Sequence, residues 1–433
     1  MVGQQWLALL LISSVYSRLG LAEAGKCEYA DVEGTCFGKE LKSKYFMLAA
    51  DYTSFNHGSY GTVPKPVAQT QYDYYAQCEA APDKWLRTTY FDKIVDARTA
   101  LAEVVNADSP DNLVLVENAS AAVNSILRSL GLKSGDKFLR LSTAYGMVIN
   151  TLNWLVSTAG IEVIIVPVEF PIKSSQQIID SVQMALIQSP GVKLSVFSHI
   201  SSIPAVIEPI FELQALARAA GSMVLIDGAH APGAIKVDLK QLAPDFYLGN
   251  AHKWLFCPKG TAFLYVRKEL QTSTAPEPTV INLDPTGLLP DRYKYTGTRD
   301  YTAMATIPAG IAFFGSLGGM SNVAEYNHNL AVQGGAYLAA AWNTSFLVPP
   351  EMTGTMANIM LPASWSPQAI ASAGQALLDT YNTMVVLASV LSGGTTGDTI
   401  SFLRLSAQVY LSMEEIQWLA DMLPKLVLQY QHK

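Results

Sequence analysis

The stretch Met223-Val224-Leu225-Ile226-Asp227-Gly228-Ala229-His230, residues 223–230, reads as a short strand that ends in a carboxylate and then turns. An unbroken apolar run of this length is the pattern of a strand covered on both faces, as in a parallel sheet. The same signal recurs outward on both sides. Towards the amino end, 112–116 (NLVLV), 136–141, 161–166 (IEVIIV) and 194–199 are strand-like. Between them, 120–130, 147–159, 174–187 and 210–220 (IFELQALARAA) carry apolar residues at helical spacing. Towards the carboxyl end, 246–248 and 260–266 (GTAFLYV) are further strands. Strands alternating with helices imply βαβ units: an α/β fold whose large domain has a mostly parallel sheet covered by helices. Functional loops in such folds gather at the carboxyl ends of strands.

The flanks behave differently. Residues 54–64 (SFNHGSYGTVP) read as a Gly/Ser/Pro-rich loop, and 66–105 have helical spacing. Residues 272–290 hold four prolines and read as a surface connection. Beyond them, helical patterns at 301–318, 331–342, 368–378 and 413–430 are mixed with strand-like runs at 355–361, 383–388 and 400–405. This suits a smaller C-terminal α+β domain. The expected division is a targeting segment at 1–24, an N-terminal arm at 25–64, the large domain at 65–290 and the small domain at 291–433.

The 433 residues are 50% hydrophobic and 15% charged, against a usual charged share of about 25%. That excludes a disordered chain. A net charge of −7 supplies no basic field for nucleic acid or an anionic membrane. No metal-ligating constellation is evident. Residues 6–15 (WLALLLISSV), followed by Ala22-Glu23-Ala24, resemble the apolar core and cleavage site of a secretory signal. The run is too short to span a bilayer, which needs about 20 residues. The secretory pathway is the favoured destination, with an organelle or the cytoplasm as alternatives. Cys27 and Cys36 follow closely and would close a small loop in an oxidising compartment; two free thiols are the alternative. Asn343-Thr344-Ser345 and Asn118-Ala119-Ser120 are glycosylation sequons, the second expected to be buried in a cofactor site.

Asp227 closes its strand, and Lys253 lies 26 positions on, in Gly249-Asn250-Ala251-His252-Lys253-Trp254. A carboxylate at a strand end and a lysine in a nearby Gly/Asn/His loop are what pyridoxal phosphate requires. The amine forms a Schiff base with its aldehyde, and the carboxylate keeps its ring nitrogen protonated. Taken singly, Asp227 reads equally as a helix cap and Lys253 as a solvated loop residue. Together, beside His252 and among aromatic residues, they favour the cofactor.

At this point the chain resembles the class V aminotransferase family, of pyridoxal-phosphate fold type I. It is most similar to the branch containing isopenicillin N epimerase, the cysteine desulfhydrases and the C–S lyases of ergothioneine synthesis. The resemblance rests on FNHGSYG (55–61), VENASAAVNSIL (116–127), IDGAHAPG (226–233), GNAHKWLFCPKGTAFLYV (249–266), GTRD (297–300) and FLRLSAQVY (402–410). It implies Lys253 as the Schiff-base lysine and Asp227 as partner of the ring nitrogen. It implies His230 beside the phenolic oxygen and Tyr145 stacked on the ring. Ala119 and Ser120, opening a helix, and His252 would hold the phosphate. Thr298 would reach the phosphate of a second subunit, making the unit a homodimer. Arg404 would take the substrate carboxylate, and His57 is a second candidate at the substrate. Tyr145 and His199 also read as core residues, Arg404 as an outward residue of an edge strand, and His57 as a turn former. Where many members have paired asparagines, this chain has Ser201-Ser202.

The reaction options are β-elimination at the C–S bond of cysteine or a cysteine conjugate, placed first, then epimerisation or transamination. A catalytically inactive binding protein is the alternative of another class. Persulfide-forming desulfuration needs a mobile cysteine in the second domain, and none follows Cys257.

Overall fold

The computed structural model describes residues 27–282, 287–392 and 398–431. The expected targeting segment at 1–24 lies outside them. The central feature is a seven-stranded sheet. Its strands in chain order are β1 (Leu113–Val116), β2 (Lys137–Leu141), β3 (Glu162–Val166), β4 (Val192–Ser198), β5 (Met223–Asp227), β6 (Phe246–Asn250) and β7 (Ala262–Val266). Their spatial order is β1-β7-β6-β5-β4-β2-β3. β7 is antiparallel to both its neighbours, and the other pairings are parallel. The apolar runs explain the placement. β6 and β7, inside the sheet, and β1, at one edge, are buried along their whole length, whereas β3, at the other edge, is half-exposed.

Helices α1 (Lys65–Ala80) and α2 (Tyr90–Val104) form the region read as one helical stretch. Pro82 and a wider turn at Trp85–Thr89 separate them. The crossover helices are α3 (Ala119–Ser129), α4 (Gly146–Ala159), α5 (Ser175–Gln188) and α6 (Ile210–Ala219). Beyond the sheet come α7 (Ile307–Ser316), α8 (Val323–Ala341), α9 (Pro367–Tyr381) and α10 (Met413–Gln431).

A second sheet contains β8 (Met356–Met360), β9 (Val386–Leu391) and β10 (Thr399–Ser406), antiparallel in the order β9-β10-β8. The run read as a single strand at 383–388 is split. Thr383–Met384 pairs with Thr53–Ser54 instead, in parallel. Asn56 then bridges Ser406, and Ser406 N–H donates to Phe55 O at 2.9 Å. The loop expected at 54–64 thus contains a short strand and one helical turn, His57–Tyr60, seated against the end of β10.

The arm preceding this turn is anchored. Cys27 and Cys36 form a disulfide with Cα atoms 5.7 Å apart. Val32 N–H donates to Ser316 O and Gly38 N–H to Val409 O. The buried carboxylate of Asp31 accepts from Thr35 N–H and Tyr45 O–H at 2.7 and 2.8 Å. No single helix among the described residues is long and apolar enough to cross a membrane.

Candidate active site

The carboxyl ends of β1, β2, β4, β5 and β6 converge on one cavity of about 220 Å³. Asp227 ends β5, one strand from Ser198 at the end of β4. Its Oδ1 accepts from Ala229 N–H at 3.0 Å. Burial pushes this carboxyl up; the Ala229 N–H and the Lys253 charge work against that rise. β6 ends at Asn250 and passes directly into the turn Ala251–Trp254, which carries Lys253. Burial lowers the Lys253 ammonium to about 8; Asp227 opposes that drop and Arg404 adds to it.

Lys253 Nζ donates to His230 Nε2 at 2.9 Å. Burial, then the Lys253 and Arg404 charges, hold His230 well below its ordinary value. A neutral ring that accepts at Nε2 carries its proton on Nδ1. That Nδ1 is buried without a hydrogen-bond partner among the described residues.

Ala119 and Ser120 open α3 and line the cavity. Asn118 Oδ1 accepts from Ala121 N–H at 2.9 Å and caps the helix. Asn118 is exposed at the cavity mouth, which corrects its expected burial. The Ala119 N–H is already committed to Asn250 Oδ1 at 3.0 Å. His252 lines the same end. Its Nδ1–H donates to Thr261 O at 2.8 Å, and burial, against that hydrogen bond, lowers the ring to about 4. Tyr145 precedes α4, lines the cavity and is 44% exposed, so it is not a core residue. Thr298 is exposed, outside the cavity, and within hydrogen-bond distance of Tyr295 Oη at 2.8 Å.

Arg404 lies on β10, completely buried. Nη2 donates to Asn56 Oδ1 and Ser59 Oγ at 2.7 and 3.0 Å, and Nη1 to Ser202 O at 2.8 Å. All these acceptors are neutral, and Nε has no partner among the described residues. Burial lowers the guanidinium to about 10. Ser59 and Ser202, which hold it, line the cavity.

His57 does not face the cavity, which corrects its placement at the substrate. Its Nε2–H donates to Lys253 O at 2.6 Å and its Nδ1 accepts from Tyr410 O–H at 3.0 Å. Burial lowers the ring to about 3, against the Lys253 carbonyl, and Trp254 and Phe256 pack around it. His57 therefore holds the lysine peptide. Gly61 follows from the same contact: at φ +65°, a Cβ there would lie 1.8 Å from His252 O. His199 is a buried core histidine within 2.9 Å of Tyr247 Oη.

The profile of the family described as Aminotransferase class-V matches residues 59–419. The chain belongs to this family. An L-cysteine desulfhydrase of Arabidopsis thaliana is 31% identical over 412 residues, 90% of this chain and 90% of that protein. A hercynylcysteine sulfoxide lyase of Schizosaccharomyces pombe is 25% identical over 399 residues, 90% of this chain and 98% of that protein. The fold is similar to that of a cysteine desulfurase from Thermococcus onnurineus NA1, with a TM-score of 0.73 at 20% identity, covering 93% of this chain and 100% of that one.

Within this class-V fold, Cys257 is fully buried, its Sγ 3.5 Å from Leu255 O and 3.6 Å from Ile307 O. It is packed in the core. Four residues of the site escaped sequence reasoning: Asn56, Ser59, Asn250 and Glu208. The first three are ordinary polar residues whose partners lie more than 100 positions away. Glu208, between Ile207 and Pro209, lies just ahead of the helix read at 210–220, and no local signal marks it.

Proposed function

We propose that the chain is a pyridoxal-phosphate-dependent lyase that breaks the C–S bond of cysteine or a cysteine conjugate by β-elimination, working as a homodimer. The observation that carries this reading is the meeting of Lys253, Asp227 and His230 in one cavity, with Arg404 buried behind its wall. The desulfhydrase and sulfoxide lyase relatives support the reaction class.

The residues present fit the cofactor. Lys253 is a buried amine without an ion pair among the described residues, and its lowered proton affinity favours the nucleophilic neutral form. Engaging it elsewhere frees His230 Nε2, which, with the ring proton moved from Nδ1 to Nε2, would donate to the phenolic oxygen. The amino end of α3, at Ser120, faces the cavity and favours an anion. His252 adds a ring at the same end. Bound there, pyridoxal phosphate supplies an electron-accepting ring, with Asp227 as the acid's counterpart at its nitrogen.

The remaining steps belong to this chain. Arg404, a buried cation holding only neutral acceptors, would take the substrate carboxylate in exchange for the Ser59 and Ser202 oxygens that its two prongs now hold. Tyr145 covers one face of the cavity. Lys253 Nζ, once released, takes the proton from the substrate α-carbon, a task its value of about 8 suits at neutral pH. The β-carbon–sulfur bond then breaks, its electron pair leaving with sulfur. With Cys257 packed in the core, the sulfur leaves as a small molecule and not as a protein persulfide.

Thr298 is exposed and lies off this chain's own cavity, which supports a role for it at the phosphate of a second subunit. The disulfide just after the apolar leader supports maturation in an oxidising compartment. The test is direct. The purified protein absorbs in the visible, borohydride fixes the cofactor on Lys253, and cysteine or a cysteine sulfoxide yields pyruvate and ammonia. Lys253→Ala abolishes turnover. A colourless protein that stays colourless with added cofactor refutes the reading, and an inverted α-carbon without pyruvate replaces elimination by epimerisation.

A further inference from the structure

One buried acid at this cavity has no part in the chemistry above. Glu208 is 2% exposed and begins the return from an excursion, residues 199–207, into α6. Its Oε2 accepts from Ser198 N–H at 2.8 Å, and its Oε1 pairs with Thr143 Oγ1 at 3.1 Å. Its own N–H donates to His199 O at 3.2 Å. No Lys, Arg or His among the described residues forms an ion pair with it. Burial, and then the nearby Asp227 charge, push its carboxyl up to about 8, against the pull of Ser198 and Thr143. Burying a carboxyl without a cation is costly, and an apolar side chain of similar size avoids the cost.

What the acid holds explains why it is there. Thr143 is two residues before Tyr145, in the turn between β2 and α4. Ser198 is the end of β4, paired with Asp227. The excursion that Glu208 closes carries Ser202, which accepts from Arg404. It also carries Ala205, whose N–H and C=O both bond the Asn358 amide at 3.0 and 2.6 Å. Two walls of the cavity therefore meet at one carboxyl.

We propose that Glu208 is a positioning residue that locks the Tyr145 turn and the Ser202 excursion to the end of β4, and so sets the walls that receive the cofactor ring and the substrate carboxylate. This rests on the cavity being the catalytic site proposed above. Removing the carboxyl leaves Thr143 Oγ and Ser198 N–H without their partner and frees both walls. Glutamine keeps an acceptor for Ser198 and a donor for Thr143.

The experiment titrates pyridoxal phosphate into the apo forms of wild type, Glu208→Leu, Glu208→Gln, Thr143→Val and Glu208→Leu/Thr143→Val. It follows the visible band and its circular dichroism, with the melting temperature of each apo form beside it. Loss of the Thr143 bond weakens cofactor binding by about three- to tenfold in Thr143→Val, and Glu208→Leu, which loses the Ser198 bond as well, weakens it at least as much. Glu208→Gln stays within about twofold of wild type, and the double variant is no weaker than Glu208→Leu, because Thr143→Val removes a bond that Glu208→Leu has already lost. Cofactor affinity unchanged in Thr143→Val, or additive losses in the double variant, overturns the proposal, as does a lowered melting temperature with wild-type affinity. Should Glu208→Leu not fold, Thr143→Val against Glu208→Gln still decides. Failure of wild type itself to bind cofactor refutes the underlying reading instead.

Discussion

The proton affinity of Lys253 makes a quantitative demand on how the apo protein takes up its cofactor. Condensation with an aldehyde needs the neutral amine. With the ammonium lowered to about 8, roughly a quarter of the molecules carry neutral Nζ at pH 7.5, against about 0.1% for an ordinary lysine near 10.4. The environment is thus worth about two hundredfold in reactive amine. The rate of capture, followed by borohydride trapping and mass of the Lys253 peptide, should fall about tenfold per pH unit below 8 and level off above it. The neighbours give the sign of two variants. Asp227 stabilises the ammonium, so Asp227→Asn moves the inflection downward; Arg404 destabilises it, so Arg404→Gln moves it upward. Only the position of the inflection is compared, since both variants change absolute binding. An inflection near 10.4, a flat profile from pH 6 to 9 (about three units spanning the expected break), or both variants shifting the same way would refute the electrostatic account.

Gly61→Ala places a methyl 1.8 Å from His252 O at a φ of +65°. It should cost more than the usual ~1 kcal/mol for such backbone and displace the lysine peptide, seen as a lower melting temperature and slow cofactor capture. Glu208 titrates near 8 when folded and near 4.5 when unfolded. The unfolded chain therefore releases its proton first, and native stability drains away as pH climbs between those values. Urea unfolding of apo Glu208→Gln should gain on wild type by a few kcal/mol (order of magnitude) between pH 5 and 8, and a constant difference would contradict the burial. Cys36→Ser opens a loop whose ends are 9 positions apart. Chain entropy alone makes this roughly 2–3 kcal/mol, read as a reductant-sensitive melting temperature in wild type and none in the variant.

Much of this was legible in the sequence for a physical reason. A strand buried on both faces must be apolar throughout, so β5 and β7 announce themselves, and the residue that breaks such a run at its carboxyl end is polar for a cause. Asp227 is of this kind, and Lys253 lies in the turn that directly follows the next strand, β6. Local signals fail where an element is chosen by a distant partner. Thr383–Met384 reads as continuous with β9, yet it pairs with Thr53–Ser54, some 330 positions away, because the arm offers a strand edge there. α1 and α2 read as one helix because their apolar spacing runs on through Pro82, and only the wide turn at Trp85 resets it. His57 illustrates the same limit within the site. Its residue type fits substrate binding, but its two ring nitrogens are spent on Tyr410 and Lys253.

That use of His57 changes what the amino-terminal turn means. Asn56 and Ser59 hold Arg404 of the small sheet, while His57, next to Asn56, holds the Lys253 peptide at the carboxyl end of an interior strand of the large one. One helical turn therefore fixes the distance between the group that would anchor a substrate carboxylate and the group that would take its α-proton. Gly58 and Gly61 serve this closeness. A Cβ on the first would meet Met356 Sδ at 2.6 Å, and on the second the His252 carbonyl. A loop that merely connected two domains would tolerate larger residues at both positions. The spacing of FNHGSYG is thus set by two sheets at once, and changes there should disturb lysine reactivity and carboxylate binding together rather than either alone.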